Sequence, residues 1–323
     1  MKKEKINNTV VKNLNKKFGS EIVFKGRRKE KIEGMPTGLL EFDSITGVNG
    51  FPKGRVCEIS GQPSVGKTSI ALSIIGNLQK QGVSCAFIDA EHSLDTSRAE
   101  ELGVDVESLF IAQPEYGEQG FEIIEELVSE ELAEFIVVDS VSALVPKSII
   151  EGEVGKPQMG SQARLMANGL SRLVAPISKK GTVLLFINQL RMNIMGGTWD
   201  PFITPGGLSL KFYSSLRIRA KRKQGIGQAG DLVGYELELS LLKNKVGKPG
   251  EKCTIQFMFE GGIAKNSNVL AIALRKEIVE RKGNTYYYGE IKLGVGRNAA
   301  ETFISDDQQL SDSLLDAVKS QLS

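Results

Sequence analysis

The sequence has few of the residues that mark a secreted or membrane-bound protein. Its apolar runs, such as residues 135–138 and 182–187, have the length of a strand and fall far short of the ~18 residues that a membrane helix needs. Its three cysteines, Cys57, Cys85 and Cys253, are widely spaced and stand among apolar residues, as reduced core thiols do. The charged N-terminal residues have no apolar stretch behind them, so they do not indicate a secretory signal. These features predict a soluble cytoplasmic protein with no membrane partner.

The composition is that of a folded globular protein, with 41% apolar and 25% charged residues in a chain of 323. The net charge of only +2 is distributed unevenly, since residues 1–33 hold eleven basic and four acidic side chains, a local charge of +7. Further basic clusters lie at 211–223 and 243–248, and acidic ones at 118–134 and 306–316. Such segregation is compatible with binding of a polyanion, although charge runs alone more often indicate solvated helix faces.

Short apolar runs alternate with longer amphipathic segments from Gly54 to Asn188, which predicts an α/β fold with a mostly parallel twisted sheet flanked by helices. After Lys211 the apolar period becomes two, and we expect three further strands to extend this sheet. A short amphipathic helix at residues 6–18 precedes the core. Beyond Lys265 the pattern predicts a small α+β unit, with its elements at 272–281 (helix), 286–288 (strand) and 310–322 (helix).

One motif indicates directly which class of ligand the protein binds. The segment matches G-x-x-x-x-G-K-[ST] at every fixed position, with a predicted strand before it and a helix after it: Gly61, Gln62, Pro63, Ser64, Val65, Gly66, Lys67 and Thr68. In such a loop the backbone N–H groups and the helix N-terminus face phosphates, the lysine reaches the β- and γ-phosphates, and the threonine oxygen binds Mg²⁺. The motif predicts that the protein binds a nucleoside triphosphate and Mg²⁺, with Ser69 also in the site.

An NTPase needs a second carboxylate near the metal and a group that orients water. Asp139 ends the apolar strand 135–138, where the carboxyl edge of the sheet lies beside the phosphate loop, so we expect it to serve the metal. Glu91 follows the predicted strand 85–89 directly, and Asp89 at the end of that strand competes with it as the group that activates water; spacing alone does not decide between them. His92 is the only histidine, and an isolated histidine is more often structural than catalytic.

Several strings are more specific than the phosphate loop and together resemble the bacterial and phage RecA recombinases, in unbroken order from about Met35 to the C-terminus. They are Phe87-Ile88-Asp89-Ala90-Glu91-His92, Val137-Val138-Asp139-Ser140-Val141, Glu151-Gly152-Glu153-Val154-Gly155 with Met159-Gly160, Phe186-Ile187-Asn188-Gln189-Leu190-Arg191-Met192, Gly206-Gly207, Leu210-Lys211-Phe212-Tyr213 and Lys243-Asn244-Lys245.

The resemblance implies an ATP- and Mg²⁺-dependent recombinase for DNA recombination and repair. Such a protein forms a helical homopolymer on single-stranded DNA, pairs that DNA with homologous duplex DNA and exchanges strands, while DNA stimulates its ATP hydrolysis. Whether the filament also stimulates self-cleavage of a LexA-type repressor in the SOS response is left open, as is its cellular or phage origin.

The resemblance also assigns roles around the nucleotide. It makes Glu91 the residue that activates water and Asp139 a magnesium residue, and it makes Gln189 the sensor of the γ-phosphate. Lys243 and Lys245 match lysines that reach the γ-phosphate of the neighbouring protomer. Near the base, Asp95 is retained, but Arg98 stands where the family usually has an aromatic residue.

Residues 151–160 and 190–207 match the two DNA-binding loops of the family. The DNA-binding residues implied by the match are Met159, Arg164, Arg191, Ile194, Gly206 and Gly207. The usual phenylalanine of the second loop corresponds to Thr198, so Trp199 beside it is the candidate for stacking on bases.

Three segments divide the work under this resemblance. Residues 1–33 would dock on an adjacent protomer, residues 34–264 would form the ATPase core, and residues 265–323 would form a small domain that collects duplex DNA. The match also places interface positions at Lys211, Phe212 and Arg217, and a basic surface at Arg281, Lys282, Lys292 and Arg297.

Two other classes share part of this pattern. A ring helicase or regulatory ATPase of the same fold needs the phosphate loop and Asp139 but neither DNA loop. A non-enzymatic DNA-binding scaffold would leave Glu91 without a role. The string 186–192, the first loop and the pair Lys243 and Lys245 favour the recombinase.

Overall fold

The computed structural model describes residues 2–19, 23, 32–153, 160–192, 202–228, 231–263 and 265–321. The chain divides into two units, Met1–Ile32 and Glu33–Ser323, and each is described by itself. In the first unit, helix α1 (Lys2–Phe18) is closed by the Asn15 side chain, which donates to the carbonyl of Val23 and accepts from its N–H, both at 2.8 Å.

The second unit contains ten described α-helices, one described 3-10 helix (Val141–Ala143) and sixteen described strands. The helices are α2 (Leu40–Thr46), α3 (Lys67–Gln79), α4 (Thr96–Glu101), α5 (Gly117–Ser129), α6 (Lys147–Ile150), α7 (Ser161–Lys180), α8 (Ser209–Tyr213), α9 (Lys265–Arg275), α10 (Arg297–Asp306) and α11 (Gln308–Ser320). The strands are β1 (Gly34–Met35), β2 (Phe51–Pro52), β3 (Val56–Gly61), β4 (Cys85–Asp89), β5 (Phe110–Ala112), β6 (Phe135–Asp139), β7 (Val183–Gln189), β8 (Arg191–Met192), β9 (Phe202–Ile203), β10 (Leu216–Gln228), β11 (Asp231–Asn244), β12 (Lys252–Met258), β13 (Gly262–Ile263), β14 (Glu280–Lys282), β15 (Thr285–Tyr288) and β16 (Ile291–Val295).

Nine strands form the central sheet, in the order β13-β12-β11-β10-β3-β7-β6-β4-β5. The six strands from β10 to β5 run parallel, because helical crossovers connect them, whereas β11, β12 and β13 continue the sheet as antiparallel neighbours. The predicted α/β class, with its mostly parallel sheet flanked by helices, is therefore confirmed. Among the described residues no helix is long and apolar enough to span a bilayer.

Successive side chains of the central strands enter two different cores. In β6, Phe135 and Val137 pack into one apolar cluster, while Ile136 and Val138 pack into the cluster on the opposite face. All four side chains are fully buried. Burial of such a side chain contributes about 1.5–3 kcal/mol, so the middle of the sheet is rigid and holds the strand ends in place.

The end of the chain forms a small α+β unit around its own apolar cluster, in which β14, β15 and β16 make a three-stranded antiparallel sheet beside α9, α10 and α11. The helix predicted at 272–281 is wrong in its position, because α9 ends at Arg275 and β14 follows. The chain reverses through Glu277, a non-glycine residue at φ 58°. Arg281 therefore lies on a strand, with its guanidinium 5.6 Å from the ring centre of Tyr286.

Candidate nucleotide site and its neighbouring loops

Four parallel strands end at residues that carry candidate chemistry. β3, β4, β6 and β7 finish at Gly61, Asp89, Asp139 and Gln189. Gly61 lies level with Gln189 in the sheet register, and Asp89 lies level with Asp139. Ligands of open α/β sheets bind at this carboxyl edge, so the fold brings the sequence-predicted residues of the nucleotide site to one place.

The phosphate loop connects β3 to α3 and includes two residues in left-handed backbone conformations. Ser64 and Gly66 have φ angles of 57° and 90°. A Cβ atom on Gly66 would lie 2.5 Å from the phenol oxygen of Tyr235, and the positive φ also favours glycine there. The first N–H groups of α3 have no partner within the helix and are available to phosphate oxygens. Gln62, Pro63 and Ser64 are exposed, Val65 and Lys67 are buried, and Ser69 is half-buried in the first turn of α3.

Backbone carbonyls of the phosphate loop hold the Lys67 side chain close to the loop. Its Nζ donates to the carbonyls of Gly61 at 3.2 Å and Gln62 at 2.9 Å. Burial lowers the pKa of Lys67, and the carboxylates of Asp139 and Glu91 oppose that shift. The ammonium group is thus placed where it can be transferred from carbonyl oxygens to phosphate oxygens.

The residues for a divalent cation lie beside the loop. The Thr68 hydroxyl donates to the Asp139 carboxylate at 2.5 Å, which joins the start of α3 to the end of β6. Burial raises the pKa of Asp139 to about 6, the Thr68 hydrogen bond opposes this, and Glu91 reinforces it. A hydroxyl and a partly desolvated carboxylate are hard oxygen donors of the kind that Mg²⁺ binds together with substrate phosphates, so the residues present fit a magnesium–nucleotide complex.

The two carboxylates that compete to activate water have different surroundings. Asp89 is buried and accepts from the N–H groups of Ser93 and Leu94 and from the Gln113 amide, at 2.9–3.1 Å. It therefore holds the chain turn after β4. Glu91 is exposed at the sheet edge, where its Oε1 accepts from the Ser140 hydroxyl at 2.5 Å and from the Gln189 amide at 3.3 Å.

His92 belongs to the same turn. It has a φ of 53°, and its Nε2 lies 3.2 Å from the carbonyl of Pro114. The ring is thus engaged with the backbone, which favours the structural role over a catalytic one.

Near the predicted base position lie Asp95 and Arg98, which the sequence predicted, and Tyr235, which it did not. Asp95 caps α4 by accepting from the N–H of Arg98, and the Arg98 guanidinium pairs with Glu101 at 2.6 Å. Tyr235 lies against the phosphate loop through its contact with Gly66, and the Arg222 guanidinium stands 4.2 Å from its ring centre. Burial raises the pKa of Tyr235, whereas Arg222 and Arg98 lower it. Nothing in the spacing of this β11 residue pointed to the phosphate loop.

The described parts of the two predicted DNA loops meet at their bases. Gly206 and Gly207, at φ 88° and 72°, pack so closely on Val141 and Ala163 that Cβ atoms there would approach to 2.7 and 2.8 Å. Arg164 is exposed in the first turn of α7, and Arg191 is exposed at the start of the second loop. Met159, Ile194, Thr198 and Trp199 lie outside the described residues.

The residues predicted at the protomer interface cluster around α8. Phe212 is 67% exposed. Lys243 donates through Nζ to the carbonyl of Lys211 at 2.6 Å, and Lys245 donates to that of Phe212 at 3.0 Å. Arg217 instead points inward, with its Nε 2.5 Å from a carboxylate oxygen of Glu58.

A phosphate loop at the carboxyl edge of a mostly parallel sheet, with a strand-ending aspartate bonded to its threonine, defines the P-loop class of nucleoside-triphosphate-binding proteins. The comparisons with known proteins narrow this class. The family model of the RecA N-terminal domain matches residues 5–264, and that of the RecA C-terminal domain matches residues 267–323.

Two curated relatives cover nearly the whole chain. Protein RecA of Aquifex aeolicus (strain VF5) is 41% identical over 314 residues, which are 97% of this chain and 91% of the relative. Protein RecA of Clostridium tetani (strain Massachusetts / E88) is 43% identical over 316 residues, 96% of this chain and 90% of the relative. The chain belongs to the RecA family, whose role is in DNA recombination and repair and whose members bind ATP and DNA.

Proposed function

We propose that this protein is a DNA-dependent ATPase that polymerises on single-stranded DNA, pairs it with homologous duplex DNA and exchanges strands. The observation that carries the proposal is the hydrogen bond from Gln189 to Glu91. Gln189 ends β7 directly before the second loop, and Glu91 is the exposed carboxylate at the nucleotide site. A change in the loop can therefore reach the group that acts on water.

The residues of the sheet edge have complementary roles in hydrolysis. Lys67 and the N-terminus of α3 hold the phosphates of ATP, and Thr68 and Asp139 hold Mg²⁺, which when bound neutralises charge on the phosphate oxygens. Glu91 accepts a proton from the attacking water, since its carboxylate is exposed and Asp89 is occupied by three donors. Gln189 donates its amide to Glu91 or to the terminal phosphate.

DNA binding is assigned to the two loops. Arg164 and Arg191 supply positive charge to the DNA phosphates, and Gly206 and Gly207 bring protein backbone N–H groups close to the DNA strand. Met159, Ile194 and Trp199 are proposed to wedge or stack between bases. Because these contacts are to the backbone and to base faces, we expect no preference for base sequence.

The position of Lys243 and Lys245 supports the proposed polymerisation. β11 is antiparallel to β10, and Lys243 lies level with Arg217, which lies level with Glu58. Glu58 precedes Gly61 by three residues, or ~10 Å of strand. The two lysines therefore lie toward the amino ends of the parallel strands, away from their own phosphate loop. We assign them to the ATP site of an adjacent protomer. Lys211, Phe212 and Arg217 are assigned to the same interface between protomers.

The two terminal segments are proposed to bind the neighbouring protomer and duplex DNA. Residues 1–33 dock on the adjacent protomer. Residues 265–323 collect duplex DNA through Arg281, Lys282, Lys292 and Arg297. Stimulation of self-cleavage of a LexA-type repressor is a separate property, tested by incubating the filament with such a repressor.

The experiment that tests the proposal is ATP hydrolysis by the purified chain with and without single-stranded DNA, followed by strand exchange. We expect strong stimulation by DNA and a joint product of the two DNA molecules. Hydrolysis that DNA does not change, in filaments that still form, would favour a scaffold. A closed ring in electron micrographs would favour a motor or regulator.

Substitution of Phe212 by alanine tests polymerisation. A ring that is 67% exposed in one chain is expected to be buried in the filament, so its loss should weaken assembly by about 3–5 kcal/mol if burial there resembles that of a core phenylalanine. Filament length on single-stranded DNA, measured by electron microscopy and light scattering, should fall sharply. Phe303→Ala, which removes a 42% exposed ring from α10, is the matched control, and equal filament lengths for both variants would contradict the assignment.

A further inference from the structure

A buried carboxylate lies beneath the phosphate loop and has no part in the hydrolysis proposed above. Glu58 is fully buried in β3, and each of its two carboxylate oxygens accepts one hydrogen bond. The Asn188 amide donates to Oε1 at 2.9 Å, and Arg217 Nε donates to Oε2 at 2.5 Å. Both partners donate, and the carboxylate satisfies them together because one of its oxygens faces each donor.

Asn188 carries the interaction toward the second loop. Its Nδ2 also donates to the carbonyl of Pro205 at 3.2 Å, and its Oδ1 accepts from the N–H of Gln189 at 2.9 Å. The Asn188 side chain therefore contacts Glu58 on β3, the N–H of Gln189 and the carbonyl of Pro205 near the end of the loop 190–207.

These contacts close the base of the loop. Asn188 stands two residues before the first residue of the loop and Pro205 two residues before its last, so their hydrogen bond joins its two ends. The N–H of Leu190 donates to the carbonyl of Gly61 at 3.0 Å, and Gly61 also accepts from Lys67. A movement of the loop end at Pro205 thus pulls on the side chain that fixes Gln189.

We propose that Asn188 is a positioning residue that links the DNA loop to Gln189, and that the buried Glu58–Arg217 pair holds Asn188 in place for this purpose. The inference rests on the proposed function, because it assigns a route by which DNA stimulates hydrolysis. It also gives Arg217 a role within its own chain.

The test compares three variants with wild type in ATP hydrolysis with and without single-stranded DNA, and in thermal unfolding. Glu58→Gln leaves one acceptor for two donors. Asn188→Asp removes the donor to both Glu58 and Pro205. The double variant exchanges the amide and the carboxylate between the two positions. It restores the first contact, because the amide on β3 can donate to the carboxylate on β7 and accept from Arg217, but it leaves the Pro205 carbonyl without its donor. Glu238→Gln, which removes an ion pair with Lys223 on the β10–β11 hairpin, is the control.

We expect both single variants to lower the ratio of DNA-stimulated to DNA-free hydrolysis by at least about fivefold, the lower end of typical coupling between sites. The double variant should regain the melting temperature of the wild type but not the ratio. A purely structural role would restore the two together, and that result would overturn the proposal. So would stable single variants that keep the wild-type ratio.

The response of the wild-type chain to DNA distinguishes failure of the proposed function from failure of this inference alone. If DNA does not stimulate the wild-type chain, the proposed function fails and this inference fails with it; if DNA stimulates wild type and all variants equally, only the inference fails. Should the single variants not fold, the double variant and amide hydrogen exchange of the wild type carry the test. Peptides covering 188–190 and 202–207 should change their exchange together when single-stranded DNA binds, and a change in only one of them would overturn the link.

Discussion

Replacement of Lys67 by alanine is expected to lower the DNA-stimulated rate of ATP hydrolysis by about 10²–10³-fold, the usual effect of losing one preorganised charge stabiliser. The Lys67 ammonium is hydrogen-bonded to the carbonyls of the phosphate loop itself, so it is already held beside the loop that is expected to bind the phosphates. The steady-state rate at saturating ATP and single-stranded DNA measures the effect.

A control at the other end of the same helix separates this effect from a change in net charge. Lys80→Ala removes an exposed lysine from the residue that follows α3 and should leave the rate near that of wild type. Equal rates for Lys67→Ala and wild type would remove the phosphate loop from the mechanism. Circular dichroism and thermal unfolding of both variants establish that the fold is retained.

Replacement of Glu91 by glutamine is expected to slow hydrolysis by about 10²–10⁴-fold, the range that a general base contributes. The amide has nearly the size of the carboxylate and keeps an oxygen for Ser140 or Gln189, but it does not take a proton from water. Binding of ATP should therefore remain close to that of wild type. Single-turnover hydrolysis and equilibrium binding of a non-hydrolysable ATP analogue measure the two effects separately.

The matched control for this variant is Glu107→Gln, an exposed position outside the site. Loss of hydrolysis together with loss of nucleotide binding would assign Glu91 to binding and not to water activation. An unchanged rate would favour Asp89 as the group that activates water, although that carboxylate already accepts from three donors that hold the turn after β4.

Much of the nucleotide site could be predicted because local sequence determines it. The phosphate loop needs consecutive residues, and strand ends such as Asp139 are marked by an apolar run that stops. The strand predicted to end at Asp139 does end there, and the strand and helix predicted on either side of the phosphate loop are both present. The fold class and the family were therefore accessible from the sequence, while the individual site roles stay predictions.

The parts that were missed depend on contacts between distant segments or on backbone strain. Glu58 and Asn188 are 130 residues apart, and Tyr235 on β11 reaches Gly66 after β3 although β10 lies between these strands, so no spacing rule connects them. The helix α9 ends before a turn that uses Glu277 at positive φ, where sequence rules expect glycine or asparagine. Without such a breaker, the apolar pattern extended the predicted helix by six residues, from Arg275 to Arg281.

The antiparallel course of β11 has a numerical consequence under the proposed function. If every complete ATP site needs the lysines of a second chain, an open-ended polymer has one complete site fewer than it has chains. The turnover per chain is then zero for an isolated chain, half of its limit for a pair and close to its limit for a long array. Such end effects make a short DNA fragment a poor activator even when every chain on it is bound.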